Sequence, residues 1–301
     1  MYEVAPFVNL KQDNESAVRL MALSANLPNG ALAQHIAYGS GDYGHYDSKA
    51  RDLIKDNPNA KVFFAACWPS LDVLSRHTQK PIVYAGMVTT YATSQNSTGV
   101  KAFDIDNLCP NWPRLLKQIG VTTAWVVYDQ KRDAPRKQYD AINHAGSGLT
   151  IKPIVANKPD GSANDDIASL FEQTSAGDGL IITACTLTGL LRVEITKAAR
   201  RKGLISVCSD PMFIQRTGFP SLMSYGPNLL DLYKSAATNY VKKILNNENV
   251  PPPMTNKDFQ LIVNRPVAAR LGVKIPGHFT VTVNGQTQDV APIDDNTADP
   301  G

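Results

Sequence analysis

Short runs of consecutive apolar residues recur along the chain and alternate with amphipathic segments. The apolar runs occupy residues 61–66, 81–86, 123–128, 179–184 and 204–208. Their hydrophobicity is continuous, which is typical of parallel strands covered by helices on both faces. A further strand is predicted at residues 31–38. Helices are predicted at residues 70–77, 112–119, 134–145, 165–174 and 190–202. The repeated order of strand and helix predicts an α/β fold with doubly wound parallel sheets.

The length of the chain and the breaks in this pattern predict two lobes. With 301 residues the chain is long for one domain and sufficient for two. Turn-rich segments interrupt the alternation near residues 96–100 and 217–221, and a proline-rich link follows at 251–253. The predicted bounds are 1–100 with 225–255 for the N-terminal lobe, 101–224 with 256–280 for the C-terminal lobe, and 281–301 for a C-terminal extension. An Asn-Gly pair at 284–285 predicts a hairpin at the start of this extension.

Composition and charge exclude several classes of protein. Hydrophobic residues make up 43% of the chain and charged residues 19%, which is typical of a globular domain. The formal net charge is only +3, so nothing indicates a nucleic-acid partner. No apolar run approaches the roughly 20 residues that a membrane-spanning helix needs. The first four residues lack the features of a signal peptide, so either an export signal was removed or the protein stays inside the cell.

The most specific pattern lies in the last third of the chain. It consists of MSYGPNLLDLY at 223–233, a predicted helix at 234–245, FQLIVN at 259–264 and AARLGVKIP at 268–276. In this order and spacing the pattern resembles the ABC-transporter substrate-binding proteins grouped with the tryptophan/tyrosine-type binders. PIVYA at 81–85 and NSTGV at 96–100 resemble two further landmarks of that family. The resemblance covers residues 31–277.

The resemblance implies a type I periplasmic-binding-protein fold, in which two α/β lobes are joined by a three-crossover hinge and close around a ligand. It further implies the solute-binding component of an ABC importer, a monomer that acts outside the cytoplasm and has no catalytic activity. Its partners would be a small-molecule ligand, an amino acid or an aromatic carboxylate, and the membrane permease of the transporter. The chain departs from the family in a weak first strand, in the loop at 89–95 and in the absence of a leader.

The candidate binding site follows from topology, because ligands of open α/β sheets bind beyond the carboxyl ends of the strands. The loops after the predicted strands, together with a Gly- and Tyr-rich stretch, supply the candidate residues. They are Asn9, Tyr43, Cys67, Trp68, Ser70, Gly86, Met87, Tyr128, Asp129, Thr183, Cys185, Thr186 and Asp210.

The residue types at these positions suit a zwitterion with an apolar or aromatic body. A helix start at Ser70, and another after Thr186, would offer backbone N–H groups to a carboxylate. Trp68 and Tyr128 would offer aromatic surface. Asp129 and Asp210 would pair with an ammonium group. Gly86 would permit close approach of the backbone.

A purely structural interpretation stands beside each of these assignments. Ser70 and Asp210 could simply cap their helices, and Trp68 could pack in the core. Asp129 could belong to a solvated turn in which Asp133 is the N-cap of the next helix. A tyrosine-rich turn such as the one around Tyr43 is also a good surface loop.

Two other functions remain open at this stage. An α/β enzyme would need a nucleophile–base pair, such as Cys67 or Cys185 with a distant histidine. Gly-x-Ser-x-Gly, Walker A and His-Glu-x-x-His motifs are absent from the sequence. The five histidines lack metal-ligand spacing, so neither a metal nor another cofactor is expected. A cytoplasmic sensory or regulatory domain of the same fold is the second alternative.

Overall fold

The chain folds into two large β-sheets and the helices that connect their strands. The computed structural model describes residues 3–8, 14–28, 31–32, 35–38, 43–88, 94–215 and 218–296. The strands are β1 (Val4–Val8), β2 (Ala37–Tyr38), β3 (Val62–Ala65), β4 (Ile82–Val88), β5 (Ser97–Phe103), β6 (Thr123–Tyr128), β7 (Thr150–Val155), β8 (Gly179–Ile182), β9 (Ile205–Cys208), β10 (Met223–Gly226), β11 (Met254–Thr255), β12 (Gln260–Asn264), β13 (Phe279–Val283), β14 (Gln286–Val290) and β15 (Ile293–Asp295). The helices are α1 (Asn14–Ser24), α2 (Tyr46–Asp56), α3 (Trp68–His77), α4 (Ile105–Leu108), α5 (Asn111–Gln118), α6 (Asp133–Asn143), α7 (Thr186–Leu190), α8 (Arg192–Arg201), α9 (Met212–Gln215), α10 (Leu229–Ala236), α11 (Lys242–Leu245) and α12 (Arg265–Leu271).

The chain divides into two compact units. Unit 1 consists of Met1–Asp104 and Leu229–Asn256, and unit 2 of Ile105–Asn228 and Lys257–Gly301. The backbone therefore passes from one unit to the other three times. Residues 281–301, which the sequence set apart as an extension, fall within unit 2. No helix in the described part of the chain is long and apolar enough to cross a bilayer.

Unit 1 is built on a six-stranded sheet in the order β11-β5-β4-β3-β1-β2. All of its paired strands run parallel. The central strands β1 and β3 are buried along their whole length, which accounts for the continuous apolar run at 62–65. Since all strands run the same way, their carboxyl ends lie at one edge of the sheet.

Unit 2 is built on a seven-stranded sheet in the order β15-β12-β10-β9-β8-β6-β7. Its five strands from β10 to β7 run parallel, and β12 pairs with β10 in the antiparallel direction. The central strands β8 and β9 are fully buried, whereas the edge strand β7 is largely exposed. The carboxyl ends of β6, β8 and β9 therefore meet at one edge of this sheet.

Three sequence-based assignments of secondary structure are corrected. The helix predicted at 165–174 is a series of turns with one 3₁₀ segment, Ser169–Phe171. The backbone N–H of Ser169, the first residue of that segment, donates to the side chain of Asp166, and the turn does not extend into a longer helix. The helix predicted at 190–202 is α7 and α8, which are separated at Leu191. The strand predicted at 31–38 is reduced to β2, and residues 33–34 lie outside the described part.

The predicted hairpin is confirmed and forms its own two-stranded sheet, β13 with β14. Asn284 and Gly285 have φ angles of 51° and 76°, the left-handed values that a tight hairpin turn requires. Two side-chain amides of α5 bind β13 by paired hydrogen bonds. Asn111 donates to the carbonyl of Thr282 at 2.8 Å and accepts from its N–H at 2.7 Å. Gln118 binds the backbone of Thr280 in the same way, at 2.9 and 2.8 Å.

Candidate functional site

The carboxyl edge of the unit 1 sheet begins with the turn from β3 into α3. The helix starts at Trp68, with Cys67 as its N-cap. The backbone N–H of Cys67 donates to the Ser70 hydroxyl at 3.2 Å, and that hydroxyl donates to the Cys67 carbonyl at 2.9 Å. Ser70 is fully buried, so its hydroxyl closes the first turn of α3. Trp68 is half-buried and packs against the core of unit 1. In the structure Ser70 therefore caps the start of α3, and Trp68 packs against the core.

The Cys67 thiol is held in its neutral form. Burial is the largest effect and raises its pKa to about 11, although Ser70, Tyr46 and the charge of Arg19 oppose this shift. A neutral thiol is a poor nucleophile, because the thiolate is the reactive form. This environment disfavours the enzyme hypothesis in which Cys67 attacks a substrate.

The next strand end, at Gly86 and Met87, carries a bulge. The pairing of β4 with β5 shifts register between Ala85 and Met87. Gly86 has a φ of 79°, a conformation that residues with a side chain rarely adopt. A Cβ at Gly86 would lie 3.8 Å from the Ala66 carbonyl oxygen, which is an ordinary contact. The positive φ of the bulge therefore accounts for glycine here, since no protein atom crowds a Cβ at this position. Met87 is buried in the core of unit 1, so its side chain faces away from solvent.

Arg19 is a charged residue at this edge that the sequence analysis missed. It lies on α1 and only 8% of it is exposed. Its charge lowers the pKa of the Cys67 thiol against the larger effect of burial, which places the guanidinium near the β3–α3 turn. Its neighbours Leu20 and Leu23 on the same helix are buried as well, but their presence in the sequence does not show that the arginine is buried with them.

Two candidates at this edge cannot be placed. Asn9 lies outside the described residues. The backbone of Tyr43 begins a short 3₁₀ helix, Tyr43–His45, but its side chain also lies outside the described part.

The carboxyl edge of the unit 2 sheet begins with Tyr128 and Asp129. The Tyr128 ring stacks on Tyr139 of α6, with centroids 4.7 Å apart and planes inclined by 10°. Only 2% of Asp129 is exposed, so it does not belong to a solvated turn. Its Oδ1 accepts the backbone N–H of Lys131 at 2.9 Å. Burial raises the pKa of this carboxyl group, and hydrogen bonds from the following backbone together with the charge of Arg132 oppose the shift. Asp133 is the first residue of α6 and not its N-cap.

The second loop at this edge runs from Thr183 to Thr186. The Thr183 hydroxyl donates to the Val127 carbonyl at 2.9 Å, so it is engaged by the neighbouring strand β6. Cys185 is the N-cap of α7, and its backbone N–H donates to the Thr188 hydroxyl at 3.3 Å. Thr186 is buried as the first residue of that helix. Because α7 has only five residues, its start is a weak anion site by itself.

Electrostatics connect the two loops of unit 2. Burial is the main reason that the pKa of the Cys185 thiol is raised, and the negative charge of Asp129 raises it further. Asp129 and Cys185 are therefore close enough to interact, although they follow different strands. A raised pKa keeps this thiol neutral, which disfavours its use as a nucleophile.

The third loop follows β9. The Asp210 carboxylate accepts the backbone N–H of Met212 at 3.0 Å, the local contact expected of an Asp that precedes a helix. Gly226, at the end of the adjacent strand β10, lies very close to this loop. A Cβ on Gly226 would be 2.0 Å from the Ser209 carbonyl oxygen, so only glycine fits there. Among the described residues, no group of three His, Cys, Asp or Glu side chains could hold a metal ion.

Solved structures match the chain over most of its length. One is an ABC domain in complex with L-Trp from Streptococcus pneumonia, with a TM-score of 0.77 and 15% identity, covering 92% of this chain and 96% of that one. Another is the ligand-free, open form of a substrate-binding protein with adhesive properties from Clostridium difficile, with a TM-score of 0.62 and 18% identity, covering 97% and 99%. A third is a transcription regulation repressor of the LacI family from Corynebacterium glutamicum, with a TM-score of 0.58 and 14% identity, covering 86% and 96%.

The chain has the type I periplasmic-binding-protein fold. This confirms the predicted α/β class with parallel sheets. No family model matches the chain, and no curated protein does. At these identities the likeness defines the fold, and the ligand has to be argued from the residues of this chain.

Proposed function

We propose that the chain is the solute-binding component of an importer and that it captures an amino acid with an aromatic side chain. The observation that carries the proposal is the end of strand β6. There a buried carboxylate, Asp129, directly follows Tyr128, whose ring stacks on Tyr139. A carboxylate whose pKa is raised by burial gains from a cationic partner, and an ammonium group supplies one. The stacked tyrosines add aromatic surface beside it.

The ligand class is further supported by the fold neighbours. The Streptococcus protein of the same fold was solved with L-Trp. An importer is favoured because two of the reported neighbours are an ABC domain and a substrate-binding protein.

The first experiment compares ligands that differ only in the amine. L-Phenylalanine and 3-phenylpropionate share a ring and a carboxylate, and only the former carries an ammonium group. We expect L-phenylalanine, L-tyrosine or L-tryptophan to raise the melting temperature without turnover, because a ligand of the native state stabilises it by mass action. Formation of a product would contradict the proposal. A melting temperature that none of the three amino acids raises would contradict it as well.

The role of Asp129 is tested by substitution. Asp129→Asn should weaken amino-acid binding by roughly 10- to 100-fold, the loss expected when a charge-assisted hydrogen bond is removed, and should leave 3-phenylpropionate nearly unaffected. Calorimetric titration measures both affinities. The matched control is Asp178→Asn in the same unit. Asp178 precedes β8 at the opposite edge of the sheet, where it accepts a hydrogen bond from Trp125 at 2.9 Å. Equal losses in the two variants would contradict the assignment.

A ligand-sensing regulator is the second candidate function, and the match to a LacI-family repressor favours it. Uptake of labelled ligand by cells with and without the gene separates the two functions. Loss of uptake supports the importer, whereas unchanged uptake with altered transcription supports the regulator.

A further inference from the structure

Gln138 of helix α6 binds the loop that follows strand β8 at two points. Its Nε2 donates to the Ala184 carbonyl at 2.9 Å, and its Oε1 accepts the Ala184 N–H at 2.8 Å. Gln138 is fully buried, and it lies 46 residues from Ala184 in the sequence. Both polar atoms of the Gln138 side-chain amide therefore form hydrogen bonds with the backbone of Ala184.

The same loop is held on either side of Ala184. The Thr183 N–H donates to the Val127 carbonyl at 3.1 Å, and the Cys185 N–H donates to the Thr188 hydroxyl at 3.3 Å. Three consecutive N–H groups are therefore engaged by three different groups. Gln138 provides the central contact, and it comes from a helix outside the loop.

Helix α6 also carries Tyr139, the residue after Gln138. Tyr139 stacks on Tyr128 at the end of β6, while Gln138 holds the loop at the end of β8. One turn of α6 therefore contacts the end of β6, which carries Asp129, and the neighbouring loop after β8, whose Cys185 is close enough to interact with Asp129. A side chain that fixes its neighbours by packing and hydrogen bonds preorganises a binding site.

We propose that Gln138 is a positioning residue that holds the Thr183–Thr186 loop in its ligand-binding conformation. The inference rests on the proposed function for its effect on affinity, whereas the hold on the loop can be measured without ligand. It predicts that replacing Gln138 changes binding even though its amide contacts only protein.

The decisive variant is Gln138→Glu, because its effect depends on pH. When ionised, the introduced carboxylate accepts from the Ala184 N–H but repels the Ala184 carbonyl. When protonated, it again offers one donor and one acceptor. Relative to wild type at the same pH, L-tryptophan affinity should fall about tenfold or more at pH 8 and recover to within about threefold near pH 5.

Asn111→Asp is the matched control. Asn111 is equally buried and makes the same two-point contact, with the backbone of Thr282 in the hairpin. Its variant should lose stability at high pH, while L-tryptophan affinity relative to wild type stays constant across the same range. If Gln138→Glu shows a constant relative affinity, or if Asn111→Asp changes affinity equally, the positioning role is wrong.

Amide hydrogen exchange of the unliganded protein separates this inference from the proposed function. In Gln138→Glu at pH 8, protection of Thr183–Thr186 should fall selectively, whereas in Asn111→Asp the hairpin should lose protection instead. Wild-type protein that binds none of the three aromatic amino acids contradicts the proposed function only. Unchanged loop protection in Gln138→Glu overturns the inference whatever the ligand.

Discussion

Cys67 and Cys185 occupy the same backbone position in the two units. Each follows the third strand of its unit in chain order and forms the N-cap of the next helix. Their φ and ψ angles agree closely, at −159° and 170° for Cys67 and −154° and 166° for Cys185. Each thiol also contacts the hydroxyl three residues later, Ser70 at 3.2 Å and Thr188 at 3.4 Å. The Cys-x-x-Ser/Thr pair is thus an internal structural repeat.

The buried thiol of Cys67 predicts a loss of stability at high pH. The unfolded thiol ionises near its ordinary pKa of 9.0, whereas the native thiol stays neutral until about 11. Above pH 9 the unfolded state therefore binds fewer protons, and the free energy of unfolding falls as the pH rises towards 11. Urea unfolding at several pH values measures this effect, and Cys67→Ala should reduce the slope.

Modification chemistry gives a control for that prediction. At pH 8 an alkylating reagent should react more slowly with native Cys67 than with the same residue in urea-unfolded protein, since the thiolate is the nucleophile. Rapid alkylation of Cys67 in the native protein would show that burial does not hold the thiol neutral.

At the scale of secondary structure elements, the hairpin β13–β14 is fixed by side-chain amides. Asn111→Ala should lower the free energy of unfolding by roughly 1–3 kcal/mol, because it removes a fully buried side chain and leaves the half-buried N–H and carbonyl of Thr282 without these partners. Asn107 makes a similar pair of bonds to Asn284 at an exposed position. Asn107→Ala is therefore the control, with an expected loss of no more than about 1 kcal/mol, since water replaces exposed hydrogen bonds. Equal losses would contradict a role for burial at Asn111.

Most strands were predictable from the sequence, while some helices were not. Continuous apolar runs mark β6, β8 and β9 because burial on both faces leaves no room for polar side chains. The segment at 165–174 carries a helix-like apolar spacing, with Ile167 and Phe171 both buried. The backbone makes only one 3₁₀ turn there, and an apolar spacing does not show how far a helix extends.

At the scale of the whole molecule, the last described segment is an integral part of unit 2. Phe279 and Val281 of β13 are completely buried, and β15 adds a strand beside β12. Truncation after residue 277 should therefore lower the melting temperature and expose apolar surface, because two core side chains are lost. Calorimetry and binding of a hydrophobic dye measure the two effects. A truncated chain with unchanged melting temperature would show that the segment is dispensable for stability.

The candidate site was only partly predictable. Topology predicts which loops lie together, because the carboxyl ends of parallel strands share an edge. Within them, Ser70 and Thr183 turn out to use their hydroxyls on the protein itself, and Met87 packs in the core. Asp129 remains a candidate because it is a buried carboxylate. Whether a polar side chain is available to a ligand depends on its neighbours in the fold, which the sequence of a loop does not specify.

The sequence by itself determined the α/β class, the order of the strands along the chain and the hairpin turn at Asn284 and Gly285. These depend on local composition and on backbone preferences of single residues. Only the tertiary structure decided that Arg19 is buried near Cys67, that Gln138 holds Ala184 and that Asn111 holds Thr282. The last two contacts join residues 46 and 171 positions apart. Such contacts exist only once helices and strands are packed, so no local pattern encodes them.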